Sequence, residues 1–381
     1  MKICFLADEL APGSAPVIIG HTIRGLRKLG YDAECLLIVK RPYQEGFDYY
    51  LRNVEIKYIY DRIPKWLRWD FKFPGFSFFS LHHIWCGILA PFIFKRKEYD
   101  LIIANCQYTS FIARPLSIFK GIPYIQLIWD TAPYTLKKIY SKRMRLVFPL
   151  LNFFAHLLDN FAFGGCKSII TSGRMHHHYL KKYNKRIDIL YPGCNPLKEL
   201  SPFNKREKII LAYDRWDIGN IPNVYLDILE KLEDKEVKLV IAGFWHPESM
   251  EDNFRNEIDK RNLSNRVIVF WGLGEDEIYK LCSNAMVHLH CNEEAFGMQS
   301  LEAAACGCPI IIPEGSGVTE LFDIDIYFPN KGDINTIVKY LNIIFKDKQK
   351  AEEISKKVWQ RSKLYTWDDY ATQLDNIIGG V

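Results

Sequence analysis

Short runs of apolar residues alternate with helical patterns along this chain. The first run, Lys2–Ala7, is followed by a turn at 12–14 and by apolar residues at helical spacing up to Gly30. Continuous apolar runs of this length predict strands buried on both faces, and their alternation with helices predicts a parallel sheet. In the first half of the chain we predict strands at 2–7, 35–39, 101–104, 124–129, 168–171 and 187–191.

A cluster of proline and glycine at 191–196 interrupts the alternation, which then restarts. The second half has predicted strands at 209–213, 237–242, 267–270, 286–289 and 309–312, and a helical tail at 333–345 and 352–378. We therefore predict an α/β fold of two facing, doubly wound, Rossmann-like domains, 1–195 and 196–360. A C-terminal helix at 361–381 is predicted to pack back on the first domain.

The two halves differ in charge. Residues 1–195 hold 28 Lys and Arg against 14 Asp and Glu, a balance of +14, whereas 196–381 hold 22 against 31, a balance of −9. A basic half favours nucleic acid, anionic lipid or a phosphorylated substrate as its partner, with a solvated basic surface as the alternative. No nucleic-acid-binding module accompanies it, so we expect no nucleic acid partner.

The cysteines and the first residues bear on the compartment. Ten cysteines are scattered without zinc-finger spacing, and the first residues lack the pattern of a secretory signal. We therefore expect a protein of the reducing cytoplasm.

The most informative segment is Glu294-Ala-Phe-Gly-Met-Gln-Ser-Leu-Glu302, in which Phe-Gly is predicted to open a helix. Free amides and the positive end of the helix dipole suit an anion such as a diphosphate. Glu302 could accept hydrogen bonds from a ribose diol, and Glu294 would lie beside the sugar or its phosphates. The amides would come from Gly297, Met298, Gln299 and Ser300.

This segment resembles the donor-site motif of family 4 glycosyltransferases of the GT-B fold. The likeness extends over about 205–325, where Asp214-Arg215 resembles a segment with a phosphate-binding arginine and Gly243 resembles a strand-ending glycine. The resemblance implies a retaining, metal-independent transfer from a nucleotide sugar, without a further cofactor.

The resemblance also implies site residues. The catalytic candidates are Glu294, Arg215 and Asp130. The donor-binding candidates are Gly13, Ser14, Gly243, Phe296, Gly297, Met298, Gln299 and Glu302.

The chain departs from the family pattern twice. The family has a lysine a few residues after the arginine, but 216–220 contain none. Its His-Asp at the end of a first-domain strand is Trp129-Asp130 here, so the histidine is absent from that position.

Other histidines offer weaker signals. Consecutive side chains of a helix point about 100° apart, so His176, His177 and His178 cannot chelate one ion together, and we predict a surface or partner role for them. We expect His288 in the core and leave His290 as a candidate for the lining of the donor cleft.

Two segments mix bases with apolar residues. Residues 62–76 interleave Arg and Lys with Trp66, Trp69 and phenylalanines, and 77–94 carry no charge. A buried helix, shallow insertion into a bilayer and a membrane span remain alternatives for 77–94. A second candidate, 142–154, has a cationic start and an apolar body, which suits either an interface or the core. Peripheral contact with an anionic membrane is our expectation.

We thus expect a cytoplasmic hexosyltransferase of polysaccharide or glycoconjugate biosynthesis, at the inner face of the cell membrane, with a glycan or lipid-linked saccharide acceptor. A sugar-nucleotide epimerase on the same fold and a catalytically silent sugar-nucleotide-binding partner subunit are the alternatives.

Overall fold

Two compact units make up the protein. The computed structural model describes residues 1–8, 14–38, 51, 53–68, 82–141, 144–217, 220–323, 327–328 and 333–380. The first unit comprises Met1–Tyr191 and Tyr370–Val381, and the second comprises Pro192–Asp369. The division falls within the proline and glycine cluster, a few residues before position 195.

The first unit is built on a seven-stranded sheet in which neighbouring strands are parallel. Its strands are β1 Lys2–Ala7, β2 Asp32–Leu37, β3 Ile56–Tyr58, β4 Leu101–Asn105, β5 Tyr124–Ile128, β6 Ser168–Thr171 and β7 Arg186–Ile189. They lie in the order β3-β2-β1-β4-β5-β6-β7. The order reverses between β1 and β4, and ligands of doubly wound sheets bind where carboxyl ends of strands meet at such a reversal.

The second unit repeats this plan with six parallel strands. They are β8 Glu207–Asp217, β9 Lys238–His246, β10 Val267–Trp271, β11 Ala285–Leu289, β12 Ile310–Pro313 and β13 Tyr327–Phe328. The order β10-β9-β8-β11-β12-β13 places the reversal between β8 and β11. The predicted fold of two doubly wound parallel sheets is confirmed.

Helices connect the strands. Those of the first half are α1 Ser14–Lys28, α2 Ile59–Arg62, α3 His82–Ile93, α4 Ser110–Lys120, α5 Ala132–Tyr140, α6 Phe148–Gly165 and α7 His177–Leu180. The others are α8 Asn223–Lys231, α9 Ser249–Lys260, α10 Glu275–Asn284, α11 Met298–Ala305, α12 Ile334–Lys346, α13 Lys348–Ser362 and α14 Trp367–Gly379. Among the described residues, none of these helices is long and apolar enough to span a membrane.

The core of the first unit joins its strands to α3, α4 and α6. Cys86 and Ala90 of α3 are fully buried, and they pack in one cluster with Leu116 of α4 and Phe163 of α6. The uncharged segment of the sequence therefore contributes a helix with a buried face, as one of the alternatives for 77–94 predicts.

Candidate active site

The reversal of the second sheet brings several predicted residues together. Asp214 and Arg215 lie near the end of β8, and His290 directly follows β11. The loop from Cys291 to Gly297 then leads into α11, which carries Glu302. Elements distant in the sequence thus meet at the edge where doubly wound sheets bind their ligands.

Asp214 lies at the centre of a hydrogen-bond network. Its Oδ1 accepts hydrogen bonds from the Arg215 amide at 2.7 Å and from Gln299 Nε2 at 3.1 Å. Its Oδ2 accepts from Asn220 Nδ2 at 2.6 Å and lies 3.1 Å from His290 Nε2. Burial by itself would raise the pKa of Asp214, but His290 and the other donors outweigh it, so the pKa is lower than usual.

His290 is buried and contacts acceptors through both ring nitrogens. Its Nδ1 lies 2.8 Å from the carbonyl oxygen of Asn292, and its Nε2 faces Asp214. Burial by itself would lower the pKa of His290, but the Asp214 carboxylate raises it above the usual value. The contact with Asp214 therefore favours the positively charged form of His290. His288 lies in the core as expected, and burial lowers its pKa to about 3.

Glu294 belongs to a loop that a neighbouring loop holds in place. The Glu294 amide donates to Ser316 Oγ at 3.4 Å, and its carbonyl accepts from the Gly317 amide at 3.1 Å. The carbonyl of Phe296, whose side chain is buried, accepts from the Val318 amide at 2.7 Å. Hydrogen bonds from the neighbouring loop therefore hold the backbone at Glu294 and at Phe296.

Gly297 begins helix α11 in a left-handed conformation, with φ +94°. The first amides of a helix have no intrahelical acceptor, and here they belong to Met298 and Gln299. The prediction of a free amide at Ser300 is wrong, because this amide donates to the Gly297 carbonyl at 3.2 Å. Gln299 also ties the helix to Asp214 through its side chain.

Tyr213 joins strand β8 to helix α11, a contact that the sequence analysis missed although Tyr213 ends a predicted strand. Its hydroxyl lies 2.6 Å from the Gln299 carbonyl and 3.1 Å from Glu302 Oε2. Burial raises the pKa of Glu302 to about 7, although the Tyr213 hydroxyl acts in the opposite direction.

Arg215 follows Asp214 along β8, and Gly243 lies opposite Asp214 on the neighbouring strand β9. The Arg215 side chain is half-exposed, and its Nη2 lies 3.1 Å from Asp217 Oδ2. Gly243 pairs with Asp214 in the sheet and has φ +137°, and a Cβ there would collide with the Asp214 carbonyl oxygen. Glycine is therefore required at this position to let the two strands approach.

Asp130 lies in the first unit, after β5, where it pairs with a histidine from another element. His176 Nε2 lies 2.8 Å from Asp130 Oδ1, and the Tyr134 ring packs edge-on against the imidazole at 5.0 Å. The surface role predicted for His176 is wrong, since the residue is buried. An imidazole therefore accompanies Asp130 although Trp129 precedes it in the sequence.

The remaining predicted residues belong to the start of α1. Gly13 lies outside the described residues, and Ser14 is the first residue of α1, with a side chain that is likewise outside them.

Within the described part of the chain, two sets of three side chains have ligand atoms within 4.8 Å of one another. They are Asp214, His290 and Glu294 in the second unit, and Asp8, His82 and His83 in the first. In the second unit, Asp214 already accepts hydrogen bonds on both oxygens and His290 faces acceptors on both nitrogens. This geometry favours an ion pair over a metal centre.

The second unit matches a known enzyme family. Residues 196–361 match the family described as Glycosyl transferases group 1. The chain is 23% identical over 308 residues to an uncharacterized glycosyltransferase, MJ1607, of Methanocaldococcus jannaschii. The aligned region covers 74% of this chain and 75% of the relative.

Two solved structures share the whole fold. Anabaena Alr3699/HepE in complex with UDP-glucose superposes with a TM-score of 0.76 at 17% identity, over 100% of both chains. Sucrose-phosphate synthase from Thermosynechococcus elongatus has a TM-score of 0.77 at 14% identity, over 100% of this chain and 98% of the other. These likenesses establish the GT-B fold.

Proposed function

Because residues 196–361 match the group 1 glycosyl transferases and the whole chain has the GT-B fold, we propose that the protein is a retaining glycosyltransferase of family 4. It moves a hexose from a nucleotide-diphosphate sugar to a saccharide or lipid-linked saccharide. Donor binding belongs to the second unit and acceptor binding to the first. The reaction takes place in the cytoplasm, at the inner face of the cell membrane.

One observation carries the proposal. The start of α11, the Asp214–Arg215 strand end and Glu302 are joined by the side chains of Gln299 and Tyr213. This edge offers amides for a diphosphate, a guanidinium for its charge and a carboxylate for a ribose diol.

The proposed chemistry is the stabilisation of a leaving group. As the bond from the sugar C1 to the diphosphate breaks, negative charge develops on the diphosphate oxygens. The amides of Met298 and Gln299 and the Arg215 guanidinium stabilise that charge, and His290 is paired with Asp214 beside them. Glu294 lies beside the sugar, while the acceptor hydroxyl attacks C1 from the same face and passes its proton to the departing diphosphate oxygen. No metal takes part, so transfer continues in the presence of EDTA.

A donor panel tests this proposal. The purified chain is incubated with nucleotide sugars, with and without membrane extract, and the products are identified by mass spectrometry. UDP-glucose is tested first because Anabaena Alr3699/HepE was crystallised with it. We expect nucleoside diphosphate and an acceptor that has gained one hexose, and Glu294→Ala should lower turnover more than nucleotide affinity.

Three outcomes of the panel contradict the proposal. An epimerised sugar nucleotide formed without acceptor would identify an epimerase. Nucleotide-sugar binding without any turnover would identify a silent partner subunit. Loss of transfer in EDTA, restored by a divalent ion, would remove the metal-independent mechanism.

A further inference from the structure

Helix α6 and the turn directly before it expose a row of large apolar side chains. They are between 44% and 97% exposed, and we call them the α6 face: Leu146, Val147, Leu150, Phe153, Phe154 and Leu157. At about 100° per residue, the four positions inside the helix, from Leu150 to Leu157, fall within roughly one third of its circumference. They therefore form a continuous stripe about 10 Å long, at 1.5 Å rise per residue, and the turn before the helix extends it.

The opposite side of α6 is well packed. Ala155, Asp159, Ala162 and Phe163 are buried, and Ala155 packs in a small cluster with side chains of α5. The exposed stripe is thus not the result of a loosely docked helix. Exposed apolar surface of this extent on a packed helix is typical of an interaction site.

Neighbouring helices add to the apolar surface. Ile118 and Phe119 of α4 and Ile88 and Phe92 of α3 are also exposed. These helices lie side by side in the first unit, and the Phe111 ring of α4 stacks on a phenylalanine of α6 at 5.3 Å.

The sequence around the α6 face carries only positive charges. Residues 131–158 contain no Asp or Glu but five Lys or Arg. Three of them, Lys137, Lys138 and Arg145, are exposed in the structure. The surface therefore combines an apolar stripe with a positively charged flank.

We propose that the α6 face docks the first unit onto an anionic lipid bilayer. An interfacial helix inserts its apolar side about 5–10 Å into the boundary between headgroups and acyl chains, while Lys and Arg contact anionic headgroups. Such a bilayer satisfies both properties of this surface at once. The α6 face lies outside the segment 62–76 that the sequence favoured, of which Trp66 is exposed and Trp69 lies outside the described residues.

This inference rests on the membrane location in the proposed function. Vesicle flotation of the full chain tests it without any donor or acceptor, so its failure is distinguishable from a failure of sugar transfer in the donor panel. Vesicles consist of phosphatidylcholine alone or mixed with phosphatidylglycerol, at low and high salt. The test variant is Leu150→Ser with Phe154→Ser. The matched control is Leu29→Ser with Leu364→Ser, which removes two apolar side chains of similar exposure from elsewhere in the chain.

We expect the wild-type chain and the control to float with anionic vesicles. The test variant should bind the vesicles at least about tenfold more weakly than the wild-type chain, because two large apolar side chains no longer enter the bilayer. A variant with glutamine at Lys137, Lys138 and Arg145 should lose binding mainly at low salt, because high salt already screens these charges.

Two results would overturn the inference. One is a wild-type chain that stays with the unbound fraction on anionic vesicles at low salt. The other is equal flotation of the test variant and the control. A third result would identify the α6 face as an interface between two copies of the chain. In that case light scattering without vesicles would show a dimer of the wild-type chain, the test variant would lose this dimer, and neither would bind lipid.

Discussion

The imidazole of His290 lies between two oxygens that accept hydrogen bonds. One is the Asn292 carbonyl and the other is the Asp214 carboxylate. Asp214 accepts from three further donors, which fixes it in its ionised form. Both ring nitrogens of His290 must therefore donate, and only the imidazolium carries two N–H groups.

This arrangement predicts how His290 titrates. Its pKa should lie above 6.5, and in Asp214→Asn it should fall, because burial is then opposed only by the smaller effects of Glu294 and the Asn292 carbonyl. The histidine Cε1–H signals followed by NMR across neutral pH would show this, with the His290 signal assigned by its absence in His290→Gln. An unchanged His290 titration in Asp214→Asn would contradict the ion pair.

If Glu302 binds the ribose as proposed, nucleotide binding should depend on pH. The Glu302 pKa of about 7 means that the carboxyl is protonated in much of the free protein below that pH. Ribose hydroxyls that donate to the carboxylate would favour its ionised form and lower the pKa. Binding should therefore release a proton between pH 4.5 and about 7. Calorimetry in buffers of different ionisation enthalpy measures this proton release. Glu302→Gln should abolish it. Unchanged proton release in that variant would exclude Glu302 as the source.

Arg215 has a half-exposed guanidinium held beside Asp217. Arg215→Ala should slow transfer at least about tenfold, or about 1.4 kcal/mol of barrier. Arg215→Lys should recover only part of the rate, because the planar fork is lost. Steady-state kinetics with a saturating donor measure the effect. Full activity of the alanine variant would mean that another cation stabilises the leaving group.

At the scale of the elements, the strands were predicted better than their ends. The predicted spans 2–7 and 168–171 coincide with β1 and β6, because continuous apolar runs mark strands buried on both faces. Strand β3 was missed because Ile56–Tyr58 is short and contains a lysine. The predicted helix at 352–378 is two helices, since Asp369 accepts hydrogen bonds from the Thr366 amide and hydroxyl and so starts α14 separately.

Gly243 controls how β8 and β9 meet. Gly243→Ala would place a methyl group against the Asp214 carbonyl oxygen at a φ that side chains rarely adopt. The second unit should lose roughly 2 kcal/mol or more of stability. Thermal unfolding with and without nucleotide measures this loss. Gly274→Ala is the control, because its added methyl makes only ordinary contacts; equal stability of the two variants would show that the strands can separate without cost.

At the scale of the whole molecule, the sequence predicted single segments better than pairs of distant residues. The Glu294–Glu302 segment could be interpreted alone because its residues are consecutive. The contact of Asp130 with His176 spans 46 residues and depends on the lengths of two strands and their connections. No local pattern contains that information, so the imidazole beside Asp130 could only be found in the structure.

The last helix belongs to the first unit. Gly25 of α1 lies so close to α14 that a Cβ there would be 2.5 Å from the Ala371 Cβ, and Thr22 donates to the Tyr370 hydroxyl at 3.2 Å. Gly25→Leu should therefore destabilise the first unit by about 1–3 kcal/mol. Limited proteolysis should cleave the first unit faster while the second still binds nucleotide. Gly379→Ala, whose methyl meets nothing within 4 Å, serves as control; cleavage of Gly25→Leu at the control's rate would show that the helices can move apart freely.

This arrangement has a consequence for biosynthesis. The ribosome completes Met1–Tyr191 early, yet Tyr370–Val381 emerges only after the whole of Pro192–Asp369 has been made. At roughly 5–20 residues per second, that interval lasts about 10–35 s. Throughout it, the surface of α1 around Thr22 and Gly25 has no α14 to cover it. The part of the protein that is translated first is therefore the part that finishes folding last.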